Sequence, residues 1–466
     1  MSGSGAYTGE VAFTQSPDRR SLVAVDETGR LDVWDLATGQ VTKTIATKGR
    51  KVHQVIFTPD GRQLLVAAQE GPNTVWDLAA GKKVAEFTPP PKKDPKADEY
   101  WWNTLAFSPD GRLLAASKFG RGTWMWTWPN RDLLWHDAQE LGCYFTPDGR
   151  NLITAGWYRD FEFRDPTTGT IRRTVSGSHV GVTDFAASPD GRRIAMSDVK
   201  GPFAVRDPAT GAALREIRGA TRTWSVAFSP SGWLLAVAGD KSVRIYDTAS
   251  WQEVTRLDGH VGHVRSVYFG TDDATVVSAS GEDGTALVWD LHPLATKNVP
   301  DTTRLWTDLA GDGAAAWRAI WSAAAHADAA IRLFREKWPP PKEPLDPKRV
   351  AALIADLDSA RFAAREAAVA ELTKLGRRAE GQIREAAKSG SAEARQRAEG
   401  IIITWSGPST AEVPAEDARE MRAVWALELA GTPSARALLK EWADGRVGRR
   451  LWEEAEAATR RLAARR

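Results

Sequence analysis

The chain holds a single cysteine among 466 residues, Cys143. One thiol excludes an internal disulfide framework and any zinc site built on cysteine pairs. Cys143 lies in the apolar run Leu141-Gly142-Cys143-Tyr144-Phe145, the setting of a buried inert thiol rather than a nucleophile. No stretch approaches the ~20 consecutive apolar residues of a membrane span. The opening residues Met1-Ser2-Gly3-Ser4-Gly5 lack the basic and apolar regions of a secretory signal, so the cytoplasm is the expected compartment. Excess charge of either sign is missing too. Residues 1–300 carry 34 basic and 35 acidic side chains, and residues 301–466 carry 28 and 25. Neither part has the cationic footprint that nucleic-acid binding requires. Motifs of chemistry are equally scarce: there is no Gly-x-x-x-x-Gly-Lys-Ser/Thr loop, no His-Glu-x-x-His and no Gly-x-Ser-x-Gly. His260 and His263 stand three apart with no carboxylate or cysteine completing a ligand set. The expectation is a protein without catalytic, metal or cofactor site, partnered by neither nucleic acid nor membrane.

What is abundant is self-similarity. Phe-Ser/Thr-Pro-Asp-Gly-Arg occurs at Phe57 to Arg62, Phe107 to Arg112 and Phe145 to Arg150. Degraded copies stand at Ser188 to Arg192, Phe228 to Gly232 and Phe269 to Asp273, and Ser16-Pro17-Asp18-Arg19 begins the series. Pro-Asp-Gly suits a tight turn, because Pro sets φ, Asp bonds its own backbone and Gly accepts positive φ. Each copy leads to a short apolar run, a polar turn, a second apolar run and a closing pair: Trp34-Asp35, Trp76-Asp77, Trp126-Thr127, Arg164-Asp165, Arg206-Asp207, Tyr246-Asp247 and Trp289-Asp290. The pairs are spaced by 42, 50, 38, 42, 40 and 43 residues, which makes seven units. Each unit reads as four short antiparallel strands, too few to bury both faces alone. Seven stacked around an axis do so.

Over about residues 9–293 this pattern resembles the WD40 repeat family, and the fold expected is a seven-bladed β-propeller. The fullest copy is Leu257-Asp258-Gly259-His260, Val276 to Ser280, Asp283-Gly284-Thr285 and Trp289-Asp290. The resemblance implies a hydrogen-bonded tetrad of His260, Ser280, Asp283 and Trp289, with Ser278 as the alternative because Gly281 blurs the register. The other units depart from the pattern: Tyr246, Arg164 and Arg206 stand where the family has Trp. Propellers of the family close by lending the last blade a strand from the N-terminus. Here Ala6 to Thr8 supplies a stub, or Leu294 to Val299 closes the blade in line, or the strand is absent; a weak closure with an open edge is expected.

After residue 300 Ala, Leu, Arg and Glu recur at helical spacing. Pro339 to Pro344 interrupts the pattern, and Asp346-Pro347 reads as an N-cap followed by a first-turn proline. Gly376 and Gly431 read as C-caps. Arg361-Phe362-Ala363-Ala364-Arg365, Leu372 and Leu375-Gly376 resemble a HEAT-type repeat of the PBS-lyase-like group. The expected division is a propeller at 1–300, a helical linker with its Pro-rich spacer at 301–346, and an all-α HEAT-like domain at 347–466. The combination is similar to large bacterial WD40-repeat proteins.

Aromatic residues crowd the stretch 100–158. Tyr100-Trp101-Trp102 follows a charged, Pro-rich insertion in a loop joining two blades, while Trp124, Trp126 and Trp128 alternate along one strand. Filling of wedges between blades accounts for most of them. A sharper expectation is an exposed anchor patch of Tyr100, Trp101, Trp102 and Trp157 for partner proteins or peptides. The function expected is a non-catalytic interaction scaffold. The alternatives are a regulatory or sensory part of a larger protein or complex, and a propeller enzyme with a site in its channel.

Overall fold

The computed structural model describes residues 11–338 and 346–464, apart from 27, 48–51, 69–71, 88–101, 119–121, 139–141, 156–159, 176–181, 199–202, 209–210, 218–221, 294–300, 376–378, 405–412 and 446–449. Its strands form seven antiparallel sheets, each built from strands consecutive in sequence. The first runs β1 (Ala12–Gln15), β2 (Ser21–Val25), β3 (Arg30–Asp35) and β4 (Val41–Ala46). The next five repeat that order from β5 (Val52–Phe57) to β24 (Glu253–Asp258). The seventh has three strands among the described residues: β25 (Ser266–Phe269), β26 (Thr275–Ser280) and β27 (Thr285–Asp290). The seven-bladed propeller expected from the repeat is present.

The recurring turn builds itself from its own side chains. Ser16 Oγ donates to Asp18 Oδ1 at 2.6 Å, and that oxygen also accepts from Arg20 N, while Ser16 Oγ accepts from Ser21 N. Thr58 with Asp60, Ser108 with Asp110, Thr146 with Asp148 and Ser188 with Asp190 repeat the arrangement. These hydrogen bonds hold the Asp18, Asp60 and Asp110 carboxyls below their ordinary range. The turns also touch one another around the ring. A methyl carbon placed on Gly111 would lie 3.7 Å from Pro59, and Gly61, Gly149 and Gly191 lie equally close to Pro17, Pro109 and Pro147. Proline of one blade therefore packs on glycine of the next.

Apolar burial follows the same logic. Val23, Val25 and Leu31 of the first sheet form one cluster with Val55, Leu64 and Val66 of the second. Leu65 and Val75 of the second join Leu105, Leu114 and Trp124 of the third. Ala115 and Met125 of the third meet Cys143, Phe145 and Leu152 of the fourth. Each sheet is sealed by its neighbours, as a four-stranded unit with two apolar faces demands.

Closure of the ring is made by the inner strands. Tyr268 Oη donates to Phe13 O at 3.1 Å, and Gln15 Nε2 donates to Phe269 O at 2.8 Å. Buried Asp273 accepts from Ser231 N at 3.1 Å and acts electrostatically on Arg19. Arg19 stands at the turn position that glycine holds in other blades, at φ 61°, so a strained backbone accompanies the charge at this seam. The stub at Ala6 to Thr8 and the in-line strand at Leu294 to Val299 both lie outside the described residues.

By contacts the chain divides into two units. One comprises 1–205, 217–245 and 256–291; the other comprises 206–216, 246–255 and 292–466. The second unit holds ten helices among the described residues: α1 (Thr302–Asp308), α2 (Gly313–Ala325), α3 (Ala327–Lys337), α4 (Pro347–Asp356), α5 (Phe362–Leu375), α6 (Glu380–Ser389), α7 (Ala392–Thr404), α8 (Ala415–Ala430), α9 (Pro433–Gly445) and α10 (Arg450–Ala464). Asp346 caps α4 by accepting from Lys348 N, with Pro347 in the first turn, and Gly431 ends α8 at φ 57°. Gly376 lies outside the described residues. Helices α4 to α7 enclose Val350, Leu357, Leu372, Ile383 and Ile401. Helices α2 and α3 pack with α8 and α9 through the Trp317–Trp425 and Phe334–Trp442 ring contacts, at centroid distances of 5.3 Å and 6.2 Å.

Inside this unit Arg422 of α8 is wholly buried. Its Nε donates to Asp247 Oδ2 at 2.9 Å, its Nη1 to the carbonyls of Leu309 and Gly311, and its Nη2 to Ser250 Oγ. Arg384 of α6 donates to buried Asp207 at 2.7 Å.

Candidate partner-binding site

The seventh blade shows how its loop is fastened. Trp289 Nε1 donates to Ser278 Oγ at 2.8 Å, and Ser278 Oγ lies 2.8 Å from His260 Nε2. His260 Nδ1 lies 3.2 Å from Asp283 Oδ2, which also accepts from Val261 N and Gly262 N. The Asp283 carboxylate can only accept, so in the neutral ring the imidazole proton sits on Nδ1, facing it, and the Ser278 hydroxyl, which accepts from the indole, donates to His260 Nε2. Burial works against the Asp283 charge, yet hydrogen bonds from Thr285, Gly262 and His260 hold the carboxyl below its usual range. The structure thus brings His260, Asp283 and Trp289 together around Ser278.

The serine assignment is corrected: Ser278, not Ser280, completes the tetrad. Ser280 lies two residues nearer the turn, opposite Thr285, and accepts only a long 3.4 Å bond from Asp283 N. Gly281 adds a residue between strand and turn, which shifts a count made from the Asp-Gly turn by one strand period. Ser278→Ala is expected to cost about 1–3 kcal/mol, since it strands a buried indole N–H and imidazole nitrogen, and Ser280→Ala about 1 kcal/mol or less. Urea unfolding of both variants checks the order; equal costs would contradict it.

Where the family has Trp, blade four uses Arg164 for the same hydrogen bond. Arg164 Nε donates to Thr154 Oγ1 at 3.2 Å, and its Nη2 pairs with Glu162 and with Asp137 of the preceding blade. The departure preserves the donor and adds a link between blades.

Inner strands of six blades line a channel cavity of about 520 Å³. Polar groups contribute to its wall: Gln15, Gln54, Tyr144, Asp184, Ser225 and Tyr268 line it beside Phe, Val, Ala and Thr side chains. Asp184 accepts from Ser225 Oγ at 2.8 Å and from Val226 N at 3.1 Å, stitching blade five to blade six. Burial pushes its carboxyl up to about 6, against those hydrogen bonds, and pushes the Tyr144 hydroxyl up to about 12. Alternation within an inner strand carries no signal for such a residue, because both faces of the strand are enclosed. Among the described residues no three His, Cys, Asp or Glu side chains cluster as a metal set would.

One channel mouth carries the surface best built for contact. Arg265 lies over the Trp224 ring at 4.9 Å and pairs with Glu282 at 3.1 Å. His263 sits 6.2 Å from the Trp224 ring and donates its backbone N–H to Glu282 Oε2. The Trp224 indole N–H has no partner among the described residues. Beside this cluster Val261 is three-quarters exposed on the loop that His260 and Asp283 anchor.

The expected aromatic patch is placed only in part. Tyr100, Trp101 and Trp157 lie outside the described residues. Trp102 opens strand β9 (Trp102–Phe107), and its side chain lies outside the description. Trp124 and Trp126 are buried and stacked at 6.2 Å, and Trp128 meets Phe107 edge-on at 5.0 Å, so these fill the wedge as packing. Trp135 donates to Pro166 O of the next blade at 2.8 Å. Cys143 is fully buried, and burial pushes its thiol up to about 12, the behaviour of an inert packing residue.

The family model described as WD domain, G-beta repeat matches residues 211–247 and 251–290, the second of which contains the tetrad. The chain is a seven-bladed β-propeller that carries WD40 repeats. Its WD40 blades are similar to parts of curated proteins. The target of rapamycin complex subunit LST8 of Saccharomyces cerevisiae is 46% identical over 61 residues, 13% of this chain and 20% of that protein. The MST50-interacting protein 11 of Pyricularia oryzae is 31% identical over 201 residues, 41% of this chain and 61% of that protein. The small ribosomal subunit protein RACK1y of rice, Oryza sativa, is 33% identical over 69 residues, 14% and 20% respectively. The chain spans about a fifth of the length of LST8 and of RACK1y.

Proposed function

We propose that this WD40 chain is a non-catalytic scaffold that binds partner proteins or peptides. The observation that carries the reading is the Trp224–Arg265–Glu282–His263 cluster, a cation–aromatic–carboxylate array held at the channel mouth on a fixed framework. Trp and Arg at such a rim are the side chains that dominate protein interfaces, at ~2 kcal/mol or more for each anchor. Three relatives are named for assemblies: a complex subunit, an interacting protein and a ribosomal subunit protein. The balanced charge of both parts of the chain supports protein rather than nucleic-acid partners.

In the same reading the helices form a HEAT-type arm, and the chain divides into a propeller at 1–300, a linking helical segment at 301–346 and the arm at 347–466. No described helix is long and apolar enough to cross a membrane, and the cytoplasm is the compartment we propose. Tyr100, Trp101, Trp102 and Trp157 form a second part of the contact surface beside blades three and four.

Affinity capture with quantitative mass spectrometry from the native host tests the function. Three baits are compared: the unaltered chain, Trp224→Ala/Arg265→Ala and Trp101→Ala/Trp102→Ala. A small set of proteins should be enriched by the unaltered bait and lost from the first variant. A capture list unchanged by either double variant, with both folded, would overturn the site.

A further inference from the structure

Six of the seven blades close the third strand with an aspartate, the third blade having Thr127, and the two oxygens of that aspartate can do different work. Oδ1 caps the following turn: it accepts from Thr38 N at Asp35, Ala80 N at Asp77, Thr167 N at Asp165, and Ala249 N and Ser250 N at Asp247. Oδ2 is left for further partners, and in three blades it holds a guanidinium. Asp165 pairs with Arg172 of its own sheet, Asp207 with Arg384 of α6, and Asp247 with Arg422 of α8. The three arginines arrive from unrelated parts of the chain at one atom of one repeat position. Such a position is an arginine receptor by geometry, not by accident of a single contact.

In blades one and two the receptor is open. Neither Asp35 nor Asp77 has an ion-pair partner among the described residues, and that includes Lys82, which stands opposite Asp77 in strand register. Seven residues after Asp77 comes Val84, 51% exposed; seven after Asp247 comes Val254, 6% exposed. In the second unit that copy is covered: the first residue of α2, Gly313, sits so close to the Glu253 carbonyl that a Cβ would lie 2.4 Å from it. In blade one the corresponding residue is Thr42, and beside it Val41 is exposed. The covered copy therefore specifies what the open copies lack, namely an apolar helical cover and an arginine. In α8 the arginine is flanked by Met421, Ala423, Val424 and Trp425, all buried.

We propose that the outer rim of blades one and two, at Asp35, Val41, Asp77 and Val84, docks a helix of a partner protein that presents an arginine among apolar residues. This surface is separate from the channel-mouth cluster and stands whether or not that cluster binds. The probe is a synthetic peptide of the α8 sequence, Ala415–Ala430, with a photoreactive phenylalanine at position 425, offered to the full chain. Cross-links should map to residues 35–42 and 77–84. Their yield should fall about fivefold or more with Asp35→Asn/Asp77→Asn, and equally with the Arg422→Ala peptide. Asparagine keeps the turn-capping oxygen, so the variant retains its fold, and circular dichroism verifies it. Rim cross-links indifferent to both changes, or cross-links found only elsewhere, would overturn the proposal.

Discussion

Arg422→Ala should lower the stability of the helical unit by about 3–5 kcal/mol, because it leaves the buried Asp247 carboxylate without its counter-charge. The loss extends past one ion pair. Arg422 also satisfies the Leu309 and Gly311 carbonyls, which lie between α1 and α2, so one side chain ties α8 to that turn and to the loop after β23 (Ser242–Asp247). The expected outcome in urea is an early transition of the helices, seen as lost far-ultraviolet ellipticity, with Arg422→Lys only partly restoring the midpoint, since an ammonium cannot reproduce the five-donor fork. Joint replacement Asp247→Leu/Arg422→Met should recover most of the loss, because two apolar groups carry no stranded charge. A single variant as stable as the parent would show the pair to be ornamental.

The second large effect belongs to the propeller. Phe161→Ala should cost about 3–5 kcal/mol, the range for deleting a fully enclosed aromatic ring. Phe161 lies in a cluster that joins Ile153, Ala155 and Phe163 of blade four to Phe185, Ile194, Met196 and Ala204 of blade five. If blades seal one another, the cavity is felt on both sides of the interface. Hydrogen exchange should rise in β14 (Leu152–Ala155) and also in β18 (Ile194–Asp198), which lies in the neighbouring sheet. Faster exchange confined to blade four would mean that each sheet is stable by itself, against the packing described above.

Much of the architecture was legible because its signals are local. Ser/Thr-Pro-Asp-Gly declares its turn through bonds within six residues, and seven closing pairs at intervals of 38 to 50 residues leave little freedom in topology. Asp346-Pro347 and Gly431 declared helix ends by the same local chemistry. What escaped the sequence depends on distance in space. The Asp283 turn is readable, but which serine reaches Trp289 depends on how Gly281 is absorbed, and Ser278 emerges only once strands are paired. Arg19 and Asp273 stand more than 250 residues apart, and Arg422 and Asp247 are 175 apart. Asp184 in a channel-lining strand and Arg422 in a largely buried helix break an apolar pattern without announcing a partner. Trp224 and Arg265 lie in different blades, so their contact at the channel mouth had no linear signature. The blades that replace Trp by Arg looked degenerate in sequence, yet Arg164 keeps the donor that the repeat needs.

The claim on which all of this stands is that the first and seventh blades meet to close a ring. Tyr268 Oη reaches Phe13 O, so a photoreactive benzoylphenylalanine placed at position 268 holds its ketone against β1. Irradiation of the full chain followed by peptide mapping should join residues 266–269 to residues 11–15 within one monomer. An absence of that link, or a link formed only between two chains, would contradict a closed seven-bladed ring.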